Sequence, residues 1–148
     1  MKAKLIYLAG ILVLSVSCKT YTVPVDSFRK QMTVAGSEKL KEVEIDHPTF
    51  YSSSSPGRNL RYQSNTIKSI EVLDKNGTKV WLENSPKLEM RIHKKDGKKH
   101  ILYFDSVVVE NDTLKGARSR LMDLRREIAM SDIEKIEIQD SGKTYTYQ

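Results

Sequence analysis

The chain has 148 residues and one cysteine, with 39 % hydrophobic and 30 % charged side chains and a formal net charge of +6. That length suits one domain, or two very small ones, burying roughly two-thirds of the unfolded surface, and a lone cysteine excludes an internal disulfide framework. No Gly-x-Ser-x-Gly, His-Glu-x-x-His, paired Cys-x-x-Cys or glycine-rich phosphate loop occurs, so no catalytic residue, metal site or cofactor is assigned.

At the start, Lys2 and Lys4 precede an apolar run over 5–16, broken only by Gly10 and Ser15, and small residues lead into Cys18. This is the build of an export signal over 1–17. The run is too short for a membrane-spanning helix, which needs about 20 apolar residues. Leu14-Ser15-Val16-Ser17-Cys18 resembles the lipobox of bacterial lipoprotein precursors, in which the cysteine takes a diacylglycerol before cleavage in front of it. The resemblance implies a mature chain beginning at a lipidated, palmitate-bearing Cys18, with the bilayer as its partner. Two or more acyl chains hold stably, at about 0.8 kcal/mol per buried methylene. By the same resemblance, Lys19 in place of Asp after the cysteine implies sorting to the outer membrane, facing the periplasm. Ordinary secretion is the rival reading, since Ser15-Val16-Ser17 also meets the small-x-small rule for cleavage at the same bond. Losing Lys2 and Lys4 with the leader takes the charge from +6 to +4. An exported, mildly basic chain argues against nucleic acid and leaves anionic head groups, acidic polymers or an envelope protein as partners.

Beyond Cys18 the chain divides into an anchor, tether and short helix over 18–36 and a mainly β domain over 37–148. Residues 20–25 are expected as tether. A short helix over 25–32 follows from Asp26 or Ser27 as N-cap and from Phe28 and Met32 four apart. Residues 40–46 fit strand or helix, and Ser52-Ser53-Ser54-Ser55-Pro56-Gly57 reads as a loop. From Asn59 onward short alternating runs are separated by turn signals: Asp74-Lys75-Asn76-Gly77, Asp96-Gly97, Asn111-Asp112 and Ser141-Gly142. Residues 118–127 are ambiguous, because Leu121 and Leu124 suit a helical turn among four arginines. The fold class is therefore mainly β: a small antiparallel sheet, barrel or sandwich built from hairpins, with at most one or two short helices.

Ile67-Lys68-Ser69-Ile70-Glu71-Val72-Leu73-Asp74 agrees or nearly agrees with Ile133-Glu134-Lys135-Ile136-Glu137-Ile138-Gln139-Asp140 at five of eight positions, which allows two related β units over about 37–85 and 86–148. Any strand followed by a turn reads similarly. Over 87–140, a lysine-glycine hairpin, a long apolar strand, Asn111-Asp112-Thr113-Leu114-Lys115-Gly116, a basic stretch and Ser131-Asp132-Ile133 resemble the small barrels of the Sm type and envelope lipoproteins built on such modules. That resemblance implies a tight turn between the last two strands and carries no active site or RNA-binding residue.

His93 and His100 flank Lys94-Lys95-Asp96-Gly97-Lys98-Lys99. A two-residue turn would set them opposite each other, whereas a glycine bulge would set His93 opposite Lys99. Two basic clusters form the candidate surface for an anionic ligand or partner: Lys94, Lys95, Lys98 and Lys99, and then Arg118, Arg120, Arg125 and Arg126. The arginines call for acids inside the fold, such as Asp123 and Glu127, or for a ligand outside it. Trp81, Tyr103, Phe104, Tyr145 and Tyr147 are expected in the core or on a sheet face. The resulting expectation is a non-catalytic, membrane-anchored envelope lipoprotein with a structural or protein-interaction role. The alternative is a binding module for an anionic lipid, glycan or small molecule through its arginines.

Overall fold

Residues 19–34, 40–46, 59–120, 122 and 124–142 are described by the computed structural model. The fold is mainly β and antiparallel throughout. Strands β1 (Thr20–Val23), β4 (Ser69–Leu73), β5 (Lys79–Glu83), β6 (Leu88–Lys94), β7 (Lys99–Tyr103) and β11 (Ile133–Asp140) make a six-stranded sheet in the order β5-β4-β1-β11-β6-β7. β8 (Val108–Glu110), β9 (Thr113–Ser119) and β10 (Leu124–Ala129) form a three-stranded sheet, and β2 (Leu40–Asp46) with β3 (Asn59–Asn65) a two-stranded one. The sheets do not close on themselves, so the barrel alternative gives way to layered sheets.

Residues 20–23, expected as tether, instead form a central strand. β1 lies between β11 and β4, with Thr22 opposite both Glu137 and Leu73. Val23 is 1 % exposed, and burying such a side chain contributes about 1.5–3 kcal/mol, which favours sheet over loop. The sheet also draws β4 and β5 from one half of the sequence and β6, β7 and β11 from the other, so the halves do not build separate sheets. The two similar segments flank β1, one on each side.

After Pro24 the chain enters α1 (Val25–Val34), which buries Phe28 and Met32, one turn apart. Gln31 completes the sheet where β1 stops. Its side-chain amide donates to the Glu71 carbonyl at 3.0 Å and accepts from the Glu71 amide at 2.7 Å, satisfying backbone groups that an edge would leave open. The helix and the three-stranded sheet cover one face of the large sheet. Val23, Val72, Met90, Ile136 and Ile138 meet Phe28, Met32, Leu114 and Ile128 there in one core. Among the described residues no helix is long and apolar enough to cross a membrane.

The turns follow local chemistry. At β8–β9, Asn111 and Asp112 both take positive φ, +48° and +58°, as a two-residue hairpin loop requires. At β6–β7, Lys94 accepts from Gly97 and donates to Lys98, both at 2.9 Å, and Gly97 sits at φ +82°. This is the glycine-bulge form. A single-turn 3₁₀ helix, Phe104–Ser106, links β7 to β8, and another, Met130–Asp132, links β10 to β11. Within the ambiguous stretch over 118–127, residues 118–119 end β9 and residues 124–127 begin β10.

Buried Asn65 pins β3 to this frame. Its Nδ2 donates to the Phe104 and Val107 carbonyls, both at 2.9 Å, while Oδ1 accepts from Ile67 N–H at 3.2 Å and Asn84 Nδ2 at 2.9 Å. All four hydrogen-bonding positions of the amide are filled.

A cationic cleft beside the β7 edge

The four arginines near the β9–β10 turn are sent to three places. Arg120 turns inward. Its Nη2 donates to Asp105 Oδ1 at 2.6 Å and to the Pro86 carbonyl at 2.7 Å, and the side chains of the ion pair are only 4 % and 0 % exposed. Its guanidinium lies 3.7 Å from the ring centroid of Tyr103 and 4.8 Å from that of Tyr62. The Tyr62 hydroxyl donates to Asp105 Oδ2. Arg120 is therefore corrected from surface candidate to internal fastener, because desolvation, stacking and a buried carboxylate all retain it.

The acid that pairs with it was not anticipated. Glu127 lies 3.7 Å from Lys115 instead, and Asp123 is outside the described residues. The available signal was a charged residue, Asp105, within the otherwise apolar and small-residue stretch over 101–109, where a buried carboxylate demands a cation.

Arg118 and Arg126 remain exposed and come together. With Lys99, His100, Tyr103 and Glu89 they line a cleft of about 380 Å³ that runs along β7, the edge strand of the large sheet. Gly116 makes the approach of β9 to β7 possible, since a Cβ there would lie 2.8 Å from Val107 Cγ2 and 3.0 Å from Leu102 Cδ1. Lys99, Arg118 and Arg126 meet no carboxylate partner among the described residues. Glu89 receives the Gln139 amide at 3.3 Å. His100 reports the resulting field: burial first, then the Arg126 charge, holds its imidazole below the ordinary histidine value, with Asp96 opposing weakly. A cleft with three cations and one acid suits phosphate or carboxylate oxygens.

Arg125 lines a different cleft, of about 310 Å³, with Glu42, Tyr62, Gln63 and Ser106. The lysine hairpin also separates. Lys94 reaches Asp96 at 3.4 Å and Asp132 at 3.5 Å, and Lys98 reaches Asp96 at 3.3 Å, so these two charges are neutralised locally. Lys95 is exposed at the turn, and of this group only Lys99 joins the cleft.

The two histidines do not face each other. The bulge sets His93 opposite Lys99 and His100 opposite Ile92. His93 Nε2 lies 2.8 Å from Glu137 Oε2. Trp81 is on an exposed sheet face, Phe104 is in the core and Tyr103 is half-buried, whereas Cys18, the serine-rich loop, Tyr145 and Tyr147 lie outside the described residues.

No family model matches the chain, and comparisons with curated proteins and with solved structures find no match.

Proposed function

We propose that the protein is a non-catalytic, lipid-anchored domain of the bacterial envelope, tethered through Cys18 to the outer membrane on its periplasmic side. Its working surface is the cleft between β7 and the β9–β10 hairpin, which takes a phosphate or carboxylate group from an envelope glycan, small molecule or partner protein. The observation that carries the binding reading is the convergence of Lys99, Arg118 and Arg126 on one cleft, with no carboxylate partner among the described residues. The non-catalytic reading is supported by the use already made of the buried polar groups. Asp105, Asn65 and Ser106 are each committed to bonds that hold the fold.

Titration of residues 19–148, a span that contains the whole core, with inorganic phosphate and with acidic polysaccharide at two ionic strengths tests the reading. Binding is expected to weaken with salt. Arg118→Ala and Arg126→Ala are each expected to cost about tenfold in Kd, since a hydrogen bond to a charged group contributes about 1.5–3 kcal/mol. The bound anion should also raise the His100 pKa, seen as a shift of its imidazole proton resonances with pH, because added negative charge opposes the Arg126 field. Absence of salt-sensitive binding would remove the cleft from consideration.

A further inference from the structure

The end of the large sheet at which the described chain begins is also the end at which the β9–β10 hairpin turns. Thr20 lies opposite Gln139, Gln139 opposite Glu89, and Glu89 opposite Tyr103. Three inter-strand steps span about 14 Å. The Tyr103 ring then lies 3.7 Å from the guanidinium of Arg120, the residue that enters the turn. Arg120 also holds the Pro86 carbonyl, and Ser141 N–H reaches the Lys87 carbonyl at 3.0 Å, which ties these segments together at the same end.

Two large apolar side chains face solvent at this turn, Met122 at 67 % and Leu124 at 48 % exposure. Arg125 beside them is exposed, and so is Lys19 at the chain start. The lysine-rich β6–β7 turn is at the other end, since Lys94 pairs with Ile133 while Leu88 pairs with Asp140. Because Thr20 is already in the sheet, only Lys19 separates it from Cys18. Covalent reach then holds the Thr20 Cα within about 7 Å of the Cys18 Cα, so this end of the sheet is the one nearest the anchor.

We infer that the β9–β10 hairpin tip is a membrane-contact surface. Met122 and Leu124 enter the interfacial layer of an anionic bilayer while the exposed Lys19 meets its phosphate-bearing head groups. This rests on the lipid-anchor reading for the identity of the bilayer, and is independent of what the cleft binds. Exposed apolar side chains beside cations match the two environments of a bilayer surface, and a basic segment adds a second attachment to acyl chains.

The full, processed chain carrying Met122→Cys, labelled with an environment-sensitive fluorophore, tests it in vesicles of phosphatidylethanolamine with phosphatidylglycerol and in vesicles of phosphatidylcholine alone. Lys95→Cys serves as the control at the opposite end, and Cys18 is blocked by its own thioether. The expected result is a blue shift and quenching by spin-labelled lipid at position 122, stronger in the anionic vesicles, with position 95 unchanged. A water-exposed, unquenched label at 122 on both vesicle types, in protein whose mass carries the acyl groups, would overturn this inference and leave the anchor standing. Mass spectrometry showing an unmodified Cys18 would remove the anchor reading and this inference with it.

Discussion

Asp105 and Arg120 are exposed by 0 % and 4 %, so each charge depends on the other for its solvation. Removing one partner of such a pair strands the other, at about 3–5 kcal/mol, while replacing both with apolar groups strands no charge. Asp105→Ala is therefore expected to destabilise by that amount in denaturant unfolding. The double variant Asp105→Leu with Arg120→Met should cost clearly less than the sum of the two single changes. Equal additivity would mean that the ring contacts and the Pro86 carbonyl, rather than the carboxylate, hold the guanidinium. The identity of this pair was not legible in the chain. Four arginines within nine residues advertise a need for acids, but which arginine turns inward depends on Tyr62, Tyr103 and Pro86, residues 17 to 58 positions away.

At the scale of elements, β9 approaches β7 only because Gly116 lacks a side chain. Gly116→Ala would drive a methyl into Val107 and Leu102, both fully buried, and overpacking of this kind costs about 1–3 kcal/mol. Thermal unfolding should register the loss. Because β9 and β10 carry Arg118 and Arg126, the same change should also weaken anion binding in the cleft. The hairpins were the readable elements: Asp-x-x-Gly and Asn-Asp each select a turn through local backbone preference. β1 was not readable. Its four residues carry too little pattern, and their conformation is chosen by β11 and β4, which lie more than forty residues away.

For the whole molecule, acidification should act in two stages. His100 is held below its ordinary value, chiefly by burial and then by Arg126, so the unfolded chain binds a proton more readily than the folded one as pH falls below about 6.5. Its contribution to stability is present above that pH and declines below it. Glu137 is held below the usual carboxylate range by the Lys135 ammonium, against burial and with help from His93, and Asp140 by the Lys87 ammonium. With folded values depressed, their contribution persists above about pH 4–5 and is lost as pH falls through those folded values. Unfolding free energy followed by denaturant titration should therefore decline modestly between pH 7 and 5 and more steeply below pH 4. Glu137→Gln should flatten the lower stage, and His100→Gln the upper.

The chain by itself specified the β class, the short helix after Pro24 and the turn positions, because alternation, capping and glycine placement act over a few residues. It also carried a basic and then apolar start and a run before Cys18 that resembles a lipobox. Tertiary structure decided which charges stay on the surface. Arg120 is neutralised inside, Lys94 and Lys98 are paired locally, and Lys99, Arg118 and Arg126 are gathered into one cleft. Long-range strand order made that selection, because electrostatic partners are chosen by distance in space, and neither residue type nor spacing along the chain encodes that distance.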